Sequence, residues 1–375
     1  MSGARGVQGT DNAYIYQPSH VLPIVFAILV GLSLLVHIYQ NFRYKCWRVT
    51  FWMFWGGTVC KQTNSNLGAD SDRSSRVFTV TAGWICRAIG SYNTASRSLY
   101  IAQTVFIYAG PPIYSAAEYN VLSRLMLYLP MYAPLNPNHV LLFFIYLGAA
   151  VEALATAGAA YVATNHSGDI SIYITGGKLL SGSLLLQAVI ETIFISMVAL
   201  IHYRASRDRM LTPNMRTLCI MLYGTSSFVL ARCIARAIQA FGTETVTSCS
   251  ALCRVLLFHE WFLYVFEAAP MVAYTYWVNV VHPGRLLPVD KNCYLDLDGI
   301  TERRGPGWVD KRSRSTRWID LLDSRGMLGG ERTREAFWLR PNDWPIAGTV
   351  GSSRSHADKH KRTHQTSSRR RDGME

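Results

Sequence analysis

The chain alternates between long apolar runs and short polar breaks. A helix needs about 20 mostly apolar residues to cross a hydrocarbon core of roughly 30 Å, and seven stretches meet or approach that length. The first is 20–40. The second is broken: 46–60 is apolar, 61–76 (KQTNSNLGADSDRSSR) is polar, and 77–92 resumes. The others are 98–118, 139–163, 178–202, 217–239 and 255–281. Backbone polar groups in lipid must be paired within their own segment, so each stretch predicts a helix. The expected fold is all-α, a polytopic membrane bundle of seven transmembrane helices. It divides into a segment 1–19, a membrane domain 20–284 and a basic tail 285–375 that is largely disordered toward its end. The insert 61–76 interrupts helix two, is hard to accommodate in lipid, and reads as a retained intron or another fault of the gene model.

Loop charges orient this bundle. Arg43, Lys45 and Arg48 follow helix one, and Arg204, Arg207, Arg209 and Arg216 lie between helices five and six, whereas 164–177 has neither Lys nor Arg. Basic loops stay cytoplasmic, which puts the N-terminus outside and the tail inside. Asn165-His166-Ser167, a glycosylation sequon with Asn165 as acceptor, falls in an outward loop on this scheme. Cys249 and Cys253, also in an outward loop, read either as a disulfide or as two free thiols.

Composition excludes a soluble globule. Of 375 residues, 50% are apolar and only 16% are charged, against about 25% charged in soluble domains. Residues 1–284 hold 29 charged side chains and the last 91 hold 32. The net charge of +13 therefore reflects cytoplasmic loops and tail, and no nucleic acid is implied. A Trp/Leu/Arg stretch near 317–326 is a candidate for the inner leaflet, and the tail is a candidate site for a cytoplasmic partner. His356, His360 and His364 sit in a Ser/Arg/Lys-rich terminus and read as an unstructured polar tract. No metal site is expected, and no cofactor.

Ionisable side chains inside apolar stretches are costly and mark function by default. Helix six carries Arg232 and Arg236, four apart on one face. Helix seven carries Glu260, Tyr264 and Glu267, also on one face. Counting from the helix ends puts Glu260 level with the two arginines in the outer half and Glu267 deeper. The expected arrangement is an Arg–Glu cluster, read either as a structural ion pair or as a polar cavity for a charged lipid headgroup or an amine. Gln103, Glu118, Glu152, Gln187 and Glu191 are further polar residues in the spans, and Pro111-Pro112 kinks or opens helix three. HExxH, GxSxG and Walker motifs are missing, so no enzyme is expected.

The ordered motifs resemble a known family. Pro111-Pro112-Ile113-Tyr114-Ser115-Ala116-Ala117-Glu118-Tyr119, with Arg124 beyond it, resembles the "P…AA…Y…R" segment of the fungal lipid-translocating exporters. These are RTA-like seven-helix proteins linked to aminocholesterol resistance and sphingoid long-chain-base export. Tyr16-Gln17-Pro18-Ser19 precedes helix one as in that family, and Gly83-Trp84 and Arg87 resemble its "GY..R". Tyr100 and Gln103 open helix three, Leu184 and Gln187 resemble "GL..Q", Arg232 and Arg236 resemble "R...R..E", and Glu260, Tyr264 and Glu267 resemble "E...Y..D". His282-Pro283-Gly284 closes helix seven. The pattern departs at Val80, at Gln239, at Glu267 in place of Asp, and at Gly158-Ala159, the nearest remnant of a helix-four "GG".

The resemblance covers about 14–288. It implies a fungal plasma-membrane protein that moves, or helps to move, amphipathic lipids such as sphingoid bases and sterol-like amines, conferring resistance to toxic lipid-like compounds. Membrane lipids and an amphipathic lipid substrate are its expected partners. The substrate-binding set expected on these grounds is Gln103, Tyr119, Arg124, Gln187, Arg232, Arg236, Glu260, Tyr264 and Glu267. A seven-helix receptor-like sensor of lipid or membrane stress fits the same topology.

Overall fold

The computed structural model describes Tyr14 and residues 17–44, 79–164, 170–243, 259–288, 290–308 and 337–347. The first half of helix two, the polar insert, Asn165, Cys249, Cys253, the 317–326 stretch and the histidine run of the tail lie outside these residues.

Each apolar stretch is helical where it is described. The helices are α1 (Leu22–Tyr44), α2 (Thr79–Tyr92), α3 (Arg97–Tyr128), α4 (Pro137–Thr164), α5 (Ile170–Arg207) and α6 (Pro213–Thr243). A last helical stretch is built from α7 (Trp261–Leu263), a π-helical turn (Tyr264–Ala268) and α8 (Ala269–Val280), followed by α9 (Pro283–Leu286). Hydropathy marks only where a helix becomes apolar, so ends are set by local chemistry instead. Helix α3 continues through Pro111-Pro112 to Tyr128 and stops short of Pro130, which disfavours helix in the residue before it. Pro137 opens α4 at a position where its missing N–H costs nothing, and the Asn136 side chain accepts from the Asn138 N–H at 3.1 Å.

Helices α1 and α5 expose apolar side chains and bury polar ones. On α1, Ile24, Val25, Ile28, Leu32, Leu35 and Val36 are exposed while Ser33 and His37 are buried. On α5, Leu185, Val189 and Ile193 are exposed while Ser181, Gln187 and Glu191 are buried. Water would reverse this pattern; a hydrocarbon solvent accounts for it. Among the described residues four helices, α1, α4, α5 and α6, are long and apolar enough to cross a membrane. The last expected span is divided by its π turn, so neither of its α-helical pieces is that long.

The chain forms two compact units: Met1–Leu122, Leu141–Leu200 and Pro213–Val289 make the first, and Ser123–Val140, Ile201–Thr212 and Asp290–Glu375 the second. In the first, Val30, Trp84, Ile107, Tyr264 and Ala268 form one apolar cluster, and Ala155, Leu180, Leu184, Ala237 and Ala240 another. Helices α4 and α5 approach through glycine: a Cβ on Gly158 would lie 2.7 Å from the Leu180 nitrogen, and one on Gly176 2.8 Å from the Tyr161 Cβ. Small residues permit such close backbone packing in membranes.

The second unit departs from the all-helical expectation. Strands β1 (Cys293–Leu295) and β2 (Glu302–Arg304) pair antiparallel, with Tyr294 opposite Arg303. The Asp298 carboxylate accepts from the Ile300 and Thr301 N–H groups at 2.9 and 2.8 Å and from the Thr301 hydroxyl, and Gly299 turns the chain at φ +72°. Arg303 pairs with Asp296 at 2.6 Å, and Tyr128 donates to Glu302 at 2.9 Å. Tyr294 is buried against the edge of Phe337. Burial pushes the Tyr132 phenol up to about 12, with the Asp208 carboxylate adding to the effect.

Candidate functional site

The first unit buries seven ionisable groups of interest in three sets. Helix α6 projects Arg232 and Arg236 toward Glu267 of the π turn. Arg232 meets Glu267 Oε1 through Nη2 at 2.6 Å and Nε at 2.8 Å. Arg236 Nε lies 3.3 Å from Oε2 and donates through Nη1 to Gln239. The three side chains are only 1, 6 and 2% exposed. Two cations share one carboxylate here. Arg232 Nη1 and Glu267 Oε2 have no hydrogen-bond partner among the described residues.

Glu260 belongs to a different set. Its Oε1 accepts from Arg87 Nη2 of α2 at 2.6 Å and from the Tyr264 hydroxyl at 2.9 Å. Its Oε2 accepts from the Ser19 N–H at 2.7 Å, so the segment before α1 closes over it. The Arg87 guanidinium lies over the rings of Tyr14 and Tyr264, 6.0 and 5.7 Å from their centroids. Tyr14 in turn donates to Gln103 Oε1 at 2.8 Å. The expected pairing of Glu260 with Arg232 and Arg236 is therefore corrected. A π turn rotates successive side chains less than an α turn does. Tyr264 and Glu267 thus diverge, one to α2 and the other to α6, where a regular helix would keep them on one face.

The third set joins α3, α5 and α6. Ser226 donates to Glu118 Oε2 at 2.7 Å, and Tyr119 donates to Glu191 Oε1 at 3.1 Å. Tyr119 also stacks on Phe144, at 4.7 Å between centroids. Gln187 lies one turn before Glu191 and is buried. Arg124 belongs to the second unit and is half-buried.

Of the nine expected residues, five fall in the two arginine-centred sets, and Gln103 joins them through Tyr14. Tyr119 and Gln187 go with the acid pair. Arg87 was absent from the expected set, although an arginine within an apolar run is the signal that found Arg232. Glu118 and Glu191 stood out only as polar residues in spans. Among the described residues no group of three His, Cys, Asp or Glu could hold a metal ion.

Residues 77–290 match the RTA1 like protein family, more than half of the chain. The chain belongs to that family. The matched region begins directly after the polar insert and contains Arg87, Glu118, Glu191, Arg232 and Glu267. Similar proteins include a "Lipid-translocating exporter-like protein RTA1" of Leptosphaeria maculans, 32% identical over 321 residues, covering 82% of this chain and 57% of that protein. A protein of the same description from Ajellomyces capsulatus is 28% identical, over 74% of this chain and 91% of its own. A "Probable lipid transporter atnI" of Emericella nidulans is 23% identical over 74% of this chain and 69% of its own. No solved structure matches. With its apolar-faced helices, this RTA1-like chain is a membrane protein of fungal kinship.

Proposed function

We propose that the chain is a seven-span plasma-membrane protein, N-terminus outside and tail inside, that moves or assists export of amphipathic lipids with an amino-alcohol head. Sphingoid bases and sterol-like amines are the substrate class, and resistance to toxic lipid-like compounds is the consequence. The observation that carries this is the incomplete pairing at Arg232–Glu267. A buried polar atom without a partner costs free energy until a ligand supplies one. Glu267 Oε2, which Arg236 Nε approaches only to 3.3 Å, and Arg232 Nη1 make no hydrogen bond to a described residue. An ammonium can donate to the first while its neighbouring hydroxyl oxygen accepts from the second. The apolar flanks of the helices suit the hydrocarbon chain, and the names of the relatives support lipid movement.

The test is efflux of a labelled sphingoid base from yeast lacking its own exporter, normalised to surface-expressed protein. The chain, a version without 61–76, and Arg232→Met of the active form are compared. Arg232→Met leaves Arg236 and Glu267 as a neutral pair, so it should reach the surface. A hydrogen bond to a charged group is worth about 1.5–3 kcal/mol, so efflux should fall by about tenfold or more. Full efflux in Arg232→Met would remove this site from the reading. Absence of efflux in every form at normal surface level would favour a sensor.

A further inference from the structure

We infer that Glu118 and Glu191 form a buried proton-binding site whose proton is exchanged for the charged lipid head, making export a lipid–proton antiport. This rests on the transport reading above. The two carboxyls are 2 and 0% exposed, and among the described residues the groups facing them supply no cation. From α3 come Ser115 and Tyr119, from α6 Thr225, Ser226 and the Cys233 thiol, and from α8 the Tyr274 hydroxyl. Arg232 and Arg236 are engaged by Glu267. Two neighbouring carboxylates in a dry interior, faced among the described residues by hydroxyls and a thiol, cannot both stay ionised. One proton held between them resolves the repulsion.

A second observation marks where it sits. Glu118 Oε1 and Glu191 Oε2 have no hydrogen-bond partner among the described residues. Ser226 and Tyr119 occupy the other two oxygens, leaving one oxygen on each carboxyl for the proton.

Charge balance gives the coupling. Arg87, Arg232 and Arg236 bring three positive charges, Glu260 and Glu267 two negative ones. With one proton on the acid pair these seven side chains sum to zero charge. A cationic lipid head entering at Glu267 adds one charge, and releasing the shared proton restores neutrality. The O–H bond of the pair breaks, the proton leaves to water, and the ammonium keeps its own. Lipid and proton therefore compete for the same protein, and linkage makes the competition reciprocal.

The experiment uses the full chain in phosphatidylcholine vesicles with a fluorescent sphingoid base and a trapped pH dye. One pH unit is worth about tenfold in an equilibrium ratio per proton. Each unit of imposed gradient should therefore shift the steady-state lipid ratio about tenfold over protein-free vesicles, with matching proton movement. Glu118→Gln and Glu191→Gln, which mimic protonated carboxyls, should insert normally and lose the gradient response. Lipid movement indifferent to the gradient in the unaltered chain overturns the antiport while leaving the transport reading intact. Infrared spectra at neutral pH test the proton site separately. A protonated-carboxyl C=O band that disappears in both variants supports it, and its absence from the unaltered chain overturns it. A band without any lipid movement leaves the proton site standing and overturns the coupling together with the transport reading.

Discussion

Two groups of acids share the first unit and are handled in opposite ways. Glu260 and Glu267 each meet a guanidinium at 2.6 Å, whereas Glu118 and Glu191 meet hydroxyls. Removing water raises the cost of any isolated charge, and these two groups show the two available answers. Where the backbone brings an arginine within reach, the acid stays charged and fixes the cation. Where it brings only Ser and Tyr, a proton has to do that work. The difference lies in the neighbouring helix and not in the acid itself.

The largest test of this contrast sets Glu267→Gln against Glu118→Gln. Glu267 pairs with both Arg232 and Arg236, so its loss takes a shared carboxylate from two buried cations. Breaking a buried pair by removing one partner costs about 3–5 kcal/mol, visible as a lowered thermal midpoint in detergent. Glu118→Gln exchanges a carboxyl that shares a proton for an amide of the same shape. It should cost less than about 1.5 kcal/mol, within the usual value of one hydrogen bond. Equal losses from the two variants would erase the distinction.

Much of this architecture was legible in the sequence, for reasons that also mark where legibility stops. Apolar run length finds helices, so stretches such as 139–163 and 217–239 recur as α4 and α6. The cost of a charge in lipid singles out Arg232, Arg236 and Glu267, and these do meet. Partner choice is a different matter, because it depends on helix rotation and depth. The π turn at Tyr264–Ala268 turns Glu267 away from Glu260 and Tyr264, which meet Arg87, and no residue pattern on the last helix announces that turn. Glu118 and Glu191 are far apart in sequence, and each alone is an ordinary polar residue. The hairpin of the tail was hidden by composition: its short Cys-Tyr-Leu strand and Asp298-Gly299 turn are diluted within a long Arg-rich segment.

A smaller effect sharpens the contrast by moving one helix. Glu191 stands on α5, whose spacing from α4 is set at Gly158 and Gly176. A methyl group on Gly158 would meet backbone atoms of Leu180 and Gly176 at 2.7 and 2.9 Å, and backbone cannot swing aside as a side chain can. Gly158→Ala should cost about 1–3 kcal/mol, as overpacking does. It should disturb the carboxyl band of the acid pair more than the arginine set on α6. Gly31→Ala is the control, since nothing lies within 4 Å of its added Cβ. In a helix interior it should gain about 0.5–1 kcal/mol, read from the same thermal midpoint.

The smallest effect belongs to a carboxylate that keeps its charge in water. Asp298 in the hairpin accepts from a Thr hydroxyl, as Glu118 accepts from a Ser hydroxyl, but it is exposed to solvent and has two backbone N–H donors besides. The hydrogen bond from Thr301 leads the causes that hold its carboxyl below the usual 3.8, with the Ile300 and Thr301 amides adding to it. A group lowered in the folded state stabilises above its unfolded value and loses that contribution as pH falls through the folded one. Hydrogen-exchange protection at Ile300 and Thr301, corrected for intrinsic exchange, should therefore hold at pH values above about 4 and decline in more acidic solution. Asp298→Asn keeps an oxygen to accept from the two amides and removes the charge, so protection should be lower but flat with pH. A decline of equal size in Asp298→Asn would assign the acid sensitivity to another group. The same hydroxyl chemistry would then no longer serve as the solvent-exposed counterpart of the buried pair.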